Sequence, residues 1–381
     1  MSKILTGNRP ILHKLKVLLL FFKLSLFLRS NMIKYLRLLL FPFAILYGVV
    51  ILLRNKLYDW GIFKSYKFDL PVICIGNLVV GGSGKTPTTE YIVRLLADYK
   101  IAILSRGYGR ETKGFLLADK NSTAKTIGDE PMQYFQKFPT ITVAVCEDRV
   151  KGINVLKDTH NVILLDDAYQ HRAVKAGFNI LLFEFDKLMK MQFLLPMGNL
   201  REPLRNYDRA NAVLITKSPN PVNMVDQVEV RRKIDTSLDQ RVSFSSIKYG
   251  ELTHLFTKEI KHDIISFEIF LLTGIANPKP LLTYLNQLSQ HIHLFEYPDH
   301  HDFSEQNINE LIKAFNEHPA KEKIIITTEK DSQRLLGDNL KDLLLNLPIY
   351  YLPIEIELAP KDKFTFDKNI LDYVASTKRI S

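Results

Sequence analysis

Lys85 and Thr86 follow directly on a glycine-rich turn, Gly81-Gly82-Ser83-Gly84, and the turn itself follows a short apolar run, Val72–Ile75. A lysine and a hydroxyl placed there suit the handling of nucleotide phosphates. Backbone N–H groups of the turn, together with the first turn of a helix, form a nest for phosphate oxygens. Lys85 can then reach the terminal phosphates, and the Thr86 hydroxyl can ligate Mg²⁺. The strict P-loop pattern wants a glycine six residues before the lysine, where this chain has Val79. A plain glycine turn between strand and helix, with a surface lysine, is the alternative.

Three further groups could do chemistry. Asp166-Asp167 ends the apolar run Val162–Leu165, the pattern of a Walker B strand whose carboxylates hold Mg²⁺. On its own such a pair also fits a helix cap or a turn. Gly128-Asp129-Glu130-Pro131 opens a helix, with Pro131 at a first-turn position and acids at the positive helix end, so capping competes with catalysis there. Tyr297-Pro298-Asp299-His300-His301-Asp302-Phe303 gathers two histidines among acids. It has no cysteine and no i, i+4 histidine pair, so proton transfer by a loop histidine is a sharper reading than a metal site. The chain's two cysteines, Cys74 and Cys146, read as packing residues of a protein in a reducing compartment.

The elements that must position these groups alternate. Ile101–Leu104, Ile141–Val145, Val162–Leu165, Ile180–Phe183 and Val213–Thr216 are strand-like runs, and helical stretches such as Thr88–Asp98 and Pro131–Lys137 separate most of them. That rhythm predicts a mostly parallel sheet covered on both faces, with ligands at the carboxyl ends of its strands. Ser105–Arg110 and Asp166–His171 fall at such ends. The rhythm changes near Val242–Tyr249, which reads as an isolated extended segment. Strands at Ile269–Thr273, Ile324–Thr328 and Tyr350–Ile354, with helices near Lys279–Leu288 and Glu305–Phe315, then predict a smaller α/β domain. The expected division is a core over 66–249 and a C-terminal domain over 250–381, with a cleft between them.

The net charge of +10 is confined to one end. Residues 1–65 carry eleven basic side chains against the single acid Asp59, and the remaining 40 basic and 40 acidic residues cancel. A nucleic-acid-binding face on the globular part is therefore not expected. Leu38–Leu53 is uncharged and closes on Arg54 and Lys56, but it is shorter than a spanning helix needs and contains Pro42. Residues 32–65 thus read as a membrane-associated helical segment lying on the cytoplasmic leaflet, with a spanning helix as the alternative. Residues 1–31 read as an extension, since Met32 would also make a natural start.

Taken in order, the motifs resemble those of one family, the tetraacyldisaccharide 4'-kinases of lipid A synthesis. They are GNLVVGGSGKTP (76–87), SRGYGR (105–110), GDEP (128–131), DDAYQH (166–171), LPMGNLREP (195–203), TGIANP (273–278), DHHDF (299–303) and TTEKD (327–331). The likeness runs from about Met32 nearly to the C-terminus. It departs where the family has DDGFQH, here with Ala168 and Tyr169, where LPAGPLREP appears as LPMGNLREP, and at Ser83, where the family has threonine. None of these changes removes a charge or a nucleophile.

The resemblance implies an α/β fold: a P-loop NTPase-like core with a mostly parallel sheet flanked by helices, a smaller α/β C-terminal domain and an N-terminal membrane-associated helix. It implies transfer of phosphate from ATP, with Mg²⁺, to the 4'-hydroxyl of a tetraacylated disaccharide 1-phosphate at the cytoplasmic face of the bacterial inner membrane, by a peripheral or monotopic, monomeric enzyme. Gly81, Gly82, Ser83, Gly84, Lys85 and Thr86 would hold ATP, with Arg201 facing phosphate. Thr86, Asp166, Asp167 and Glu202 would face the metal. Asp129 would pair with His300, or failing that His301, to take the proton. Tyr108, Glu130, Gln170 and His171 would line the disaccharide site. Two other classes stay open on the residues alone. A GTPase would need a guanine-reading Asn/Thr-Lys-x-Asp, to which Thr328–Asp331 comes near, while Thr216-Lys217-Ser218 lacks the acid. A membrane scaffold with a decayed P-loop would keep Val79 but has no use for the intact Lys-Thr pair.

Overall fold

A computed structural model describes residues 37–234 and 242–377. The extension 1–31 lies outside the described residues. Strand β1 (Val72–Asn77) is buried along its whole length. The strands that share its sheet are β2 (Ile101–Ser105), β3 (Leu116–Leu117), β4 (Thr142–Val145), β5 (Val162–Asp166), β6 (Phe178–Glu184), β7 (Ala212–Thr216), β8 (Val242–Tyr249) and, from far down the chain, β15 (Ile354–Leu358). Their order is β15-β8-β7-β6-β1-β5-β2-β4-β3, and only the outermost pairs, β15–β8 and β3–β4, are antiparallel.

Burial on both faces explains the continuous apolar runs. Ile73 and Ile75 point into a layer built with Ile92, Leu96, Phe366 and Ile370, while Val72 and Cys74 point into another with Ile153, Leu165 and Leu181. Cys74 and Cys146 are free and buried. Because β1 and β5 are neighbours, with Ile75 opposite Asp166, the turn after β1 and the carboxylates after β5 emerge side by side.

A second sheet, ordered β10-β9-β14-β13-β11-β12, contains β9 (Leu252–His254), β10 (Ile260–Lys261), β11 (Glu268–Thr273), β12 (Ile292–Glu296), β13 (Lys323–Thr328) and β14 (Ile349–Leu352). Its core includes Phe270, Leu272, Ile308, Leu311 and Ile325.

The two sheets correct the sequence reading at two points. Val242–Tyr249 is not isolated: β8 pairs with β7 and with β15. The run Tyr350–Ile354 is not one strand but parts of two, β14 and β15, which belong to different sheets. Pro353 separates them, and the residues beyond it, including the helix Pro360–Ser376, return to the first sheet. The second unit is therefore narrower than 250–381. The chain crosses between the units at Gly250 and again at Pro353, and the Gly250 amide donates to the Pro353 carbonyl at 2.9 Å. Two strands side by side make the connection.

The N-terminal helix spans Phe41–Asp59. Pro42 sits in its first turn, where the missing N–H costs nothing, so it starts the helix rather than interrupting the apolar run. With 19 residues the helix is long and apolar enough to cross a membrane. Only Ala44 is buried, and Phe41, Phe43, Ile45, Leu46, Val49, Val50 and Leu53 are exposed.

Candidate active site

The turn after β1 ends at Gly84, whose φ of +79° is open to glycine at little cost. The helix Lys85–Leu95 starts on it, so Lys85 and Thr86 occupy its first turn. Asn77 braces the turn from within, donating to the Val79 carbonyl at 2.6 Å and to Ser83 Oγ at 2.7 Å. Thr216 and Lys217 hold it from outside: Thr216 Oγ1 donates to the Ser83 carbonyl (2.9 Å) and Lys217 Nζ to the Gly82 carbonyl (2.7 Å). Val79, at the position of the missing glycine, forms an antiparallel bridge with Leu200, flanked by Val80 N–H to Asn199 O and Arg201 N–H to Leu78 O. That lacing ties the P-loop to the LPMGNLREP segment, and a side chain at position 79 packs there in the core.

Lys85 Nζ lies 3.7 Å from Asp167, and Arg201 reaches both oxygens of Asp167 at 3.1 and 3.2 Å. Burial opposes the charge of Asp167, but Lys85 and Arg201 outweigh it and hold the carboxyl below its usual range. Asp166 behaves oppositely. Burial first, and then the charge of Asp167, push it up to about 7. Its Oδ1 is buried with no hydrogen-bond partner. An orphaned buried carboxylate oxygen beside a second carboxylate is a donor set that fits Mg²⁺. Glu130 stands near enough for its charge to raise Asp166 further, which joins GDEP to the same site.

Asp129 is buried at the start of the helix Asp129–Lys137. His300 comes from the loop after β12, in the second unit, and its Nδ1 lies 2.9 Å from Asp129 Oδ2. His300 Nε2 is 3.0 Å from Lys330 Nζ. An ammonium can only donate, so Nε2 accepts and the imidazole proton sits on Nδ1, donated to Asp129. His301 turns away: it bonds Asn307 at 2.9 Å and stacks on Tyr297. Of the two histidines, His300 is the one that meets Asp129.

Arg334, which the motifs did not single out, donates through Nε to Asp129 at 3.0 Å and through Nη1 to Asp331 and to the His301 carbonyl. Burial works against the charge of Asp129, yet the His300 hydrogen bond, Arg334 and Lys330 together hold its carboxyl below its usual range. Lys330 also pairs with Glu130 at 3.2 Å. TTEKD, which contains Lys330 and lies three residues before Arg334, was the available sequence signal. The same segment does not read guanine: Asp331 is buried and committed to Thr328, the Gly274 amide and Arg334.

The remaining candidates divide. Tyr108 is 70% exposed at the mouth, with its ring 5.5 Å from that of His300. It is carried by the turn at Gly107, where a Cβ would fall 2.8 Å from the Ile127 carbonyl and φ is +69°. Gln170 donates to the Asn77 carbonyl at 2.7 Å, behind the P-loop. His171 is half-buried, its Nε2 has no partner, and burial and Arg149 lower its pKa. Glu202 is fully buried and committed to Arg209 and Asn206, with Arg54 at 4.0 Å. Both bonds fall on Oε2, while Oε1 is buried with no hydrogen-bond partner. The hydroxyl that Tyr169 adds finds the Asn206 carbonyl at 2.7 Å.

The family model for tetraacyldisaccharide-1-P 4'-kinase, LpxK, matches residues 36–374. The chain belongs to the tetraacyldisaccharide 4'-kinase family. A tetraacyldisaccharide 4'-kinase of Phocaeicola vulgatus is 44% identical over 355 residues, covering 90% of this chain and 96% of that protein. One from Flavobacterium johnsoniae is 46% identical over 346 residues, covering 89% and 97%. A crystal structure of LpxK from Aquifex aeolicus in complex with ATP superposes with a TM-score of 0.68 at 31% identity, covering 88% of this chain and 99% of that one. The nine-stranded sheet is thus the P-loop NTPase-like part of the fold, and the matched span includes the segments that carry Lys85, Asp129, Asp166 and His300.

Proposed function

We infer that this protein is a lipid kinase that uses ATP to phosphorylate the 4'-hydroxyl of a tetraacyldisaccharide 1-phosphate, a step of lipid A biosynthesis. The observation that carries the reading is the meeting of Asp129 and His300 across two units beside a P-loop. Phosphoryl transfer asks a protein mainly for positioning and charge neutralisation. Lys85, the P-loop amides and Arg201 would hold the ATP phosphates. Mg²⁺, held by Thr86, Asp166 and Asp167, would neutralise charge on the transferring group. The sugar hydroxyl would take the place of Lys330 at His300 Nε2, and its proton would pass to that nitrogen as the oxygen attacks, with Asp129 stabilising the imidazolium. Tyr108, Glu130 and His171 would line the disaccharide side. Both halves of the proton-transfer pair come from one copy, which supports action as a monomer.

The helix Phe41–Asp59 would hold this cleft at the cytoplasmic face of the inner membrane. Its middle rests on the kinase body, with Tyr47 Oη donating to the Arg201 carbonyl at 2.8 Å and Gly48 packed beside Leu194. Driving the whole helix across a bilayer would pull that polar surface into hydrocarbon. A helix lying in the leaflet, with lysines and arginines at anionic headgroups, satisfies both sides. Mass spectrometry of tetraacyldisaccharide 1-phosphate incubated with the protein and MgATP tests the assignment: the lipid should gain one phosphate. Hydrolysis of ATP without phosphorylated lipid would refute it.

A further inference from the structure

The amino ends of strands in the second sheet carry a side-chain cluster that phosphoryl transfer does not use. Glu268 opens β11, His293 is the second residue of β12, and His318 caps the helix Glu305–Glu317. Imidazoles converge on one carboxylate. His293 Nε2 is 2.9 Å from Glu268 Oε2, His318 Nε2 is 3.9 Å from the same oxygen, and His291 Nδ1 is 3.8 Å from Oε1. One ligand atom each from Glu268, His293 and His318 lies within 4.8 Å of the others. Phe270 stacks on His293 at 4.6 Å and meets His318 edge-on at 5.8 Å, which orients both rings. Lys323 is the cross-strand neighbour of Glu268, yet its ammonium donates to the carbonyls of Phe315 and His318. Among the described residues Glu268 pairs with no lysine or arginine, so imidazoles alone meet its charge.

We propose that Glu268, His293 and His318 bind a divalent transition metal, best matched by Zn²⁺, with water or His291 completing the shell. Two imidazoles and a carboxylate are a zinc donor set, and bonds of about 2.0–2.1 Å in tetrahedral geometry put ligand atoms roughly 3.3 Å apart. The two distances to Glu268, 2.9 and 3.9 Å, straddle that spacing, and the three ligand atoms lie within 4.8 Å of one another, so small side-chain rotations draw them around an ion. His318 Nδ1 is 3.4 Å from the Ala320 amide. Metal on Nε2 puts the imidazole proton on Nδ1, and this long contact opens. The cluster lies at the end of β11 opposite the catalytic one, where Gly274, just past the strand, accepts from the His300 amide. The ion therefore ties the helix Glu305–Glu317 to the strands and stays clear of the phosphoryl group.

Titration calorimetry of the whole protein with ZnCl₂ in excess Mg²⁺ tests the site, because Mg²⁺ takes oxygen ligands and competes poorly for imidazole. One Zn²⁺ should bind at roughly micromolar affinity or tighter and raise Tm, and Co²⁺ in its place should show the visible absorption of a four-coordinate site. Glu268→Gln, His293→Ala and His318→Ala should each weaken binding at least about tenfold and lose that absorption while keeping kinase turnover. The His293 side chain is 41% exposed, so His293→Ala keeps the test open if another variant fails to fold. Equal zinc binding by wild type and folded variants overturns the proposal, as does a wild type that binds none; the cluster is then a hydrogen-bonded carboxylate only.

Discussion

Asp129 Oδ2 and His300 Nδ1 are held 2.9 Å apart by two different α/β units, joined where the chain crosses at Gly250 and Pro353. In the proposed mechanism this pair transfers the proton only while the units are together, which would couple closure of the cleft to chemistry. Residues acting as one unit lose activity non-additively. His300→Ala and Asp129→Asn should therefore cut kcat to similar extents, and the double variant should be little slower than either. A double-mutant cycle on the lipid substrate measures this; multiplicative losses would separate the two roles. His301→Ala should leave kcat nearly unchanged, since that ring is spent on Asn307 and Tyr297.

Arg334 is the brace of this pair. Its guanidinium bonds Asp129, Asp331 and the His301 carbonyl, and lysine cannot reproduce that fork. Arg334→Lys should lower kcat by up to about 10²-fold through misplacement of Asp129, with KM for ATP little changed. The cations around Asp129 hold its pKa down. Weakening one of them raises that pKa, so the acid limb of the pH–rate profile should move to higher pH. A profile that drops uniformly without moving would make Arg334 a fold residue instead.

The strands of the first sheet were legible because burial on both faces writes unbroken apolar runs, as at Val72–Ile75 and Val162–Leu165. Motif order and the Lys-Thr pair located the P-loop. What the sequence hid is long-range pairing. Nothing local in Val242–Tyr249 names β7 and β15 as its partners, and nothing in Tyr350–Ile354 marks Pro353 as the point where the chain changes sheets. Arg334 was hidden as well, and Lys330 was seen only as part of TTEKD, because charged residues on a helix read as a solvated face until the other unit packs against them. The partners of Glu202 were hidden too: Arg201 turns to Asp167, while Glu202 Oε2 meets Arg209 and Asn206.

Lys85 and Asp167 form one electrostatic unit at the phosphate end. Lys85→Ala should cut kcat by about 10²–10³-fold or more, the scale seen when a donor to developing charge is removed. Asp167→Ala should instead raise the Mg²⁺ concentration needed for half-maximal nucleotide binding, with partial recovery at high Mg²⁺. Fluorescent-nucleotide titrations at several Mg²⁺ concentrations separate the two. An unchanged Mg²⁺ requirement in Asp167→Ala would remove that residue from the metal site.

Asp166, pushed up to about 7 by burial and by Asp167, gives the metal site a pH dependence. Between the ordinary carboxylate range near 4 and about 7, the metal-free folded protein keeps a proton that the unfolded chain has lost. Its stability should therefore fall as pH rises through that window. Mg²⁺ must displace the same proton, so apparent Mg²⁺ affinity should rise by up to about tenfold per pH unit below 7 and level off above it. Asp166→Asn should flatten both trends. Thermal melts with and without Mg²⁺ across pH 5–8 measure them; parallel curves for wild type and variant would contradict the assignment.

The N-terminal helix should do more than hold the protein at lipid. Tyr47 bonds the carbonyl of Arg201, and Arg54 donates to the carbonyl of Gln170 at 2.8 Å, so the helix braces the two segments that carry Arg201 and the Asp166–Asp167 pair. A chain beginning at Met32 keeps all of Phe41–Asp59 and should stay active and membrane-bound. One beginning at Lys64 loses the helix, and its kcat should fall even on substrate dispersed in detergent. Point variants divide the two roles. Tyr47→Phe and Arg54→Ala leave the exposed apolar residues in place, so both should float with anionic liposomes as the wild type does. Tyr47→Phe removes one hydrogen bond to the wall of the site, and Arg54→Ala removes one together with the ion pair to Glu202; such a bond is worth about 1 kcal/mol or somewhat more where a charged donor is involved. If that bond matters in the transition state, kcat should drop about five- to tenfold, as 1.4 kcal/mol is a factor of ten. Full detergent activity in the chain from Lys64 would reduce the helix to an anchor.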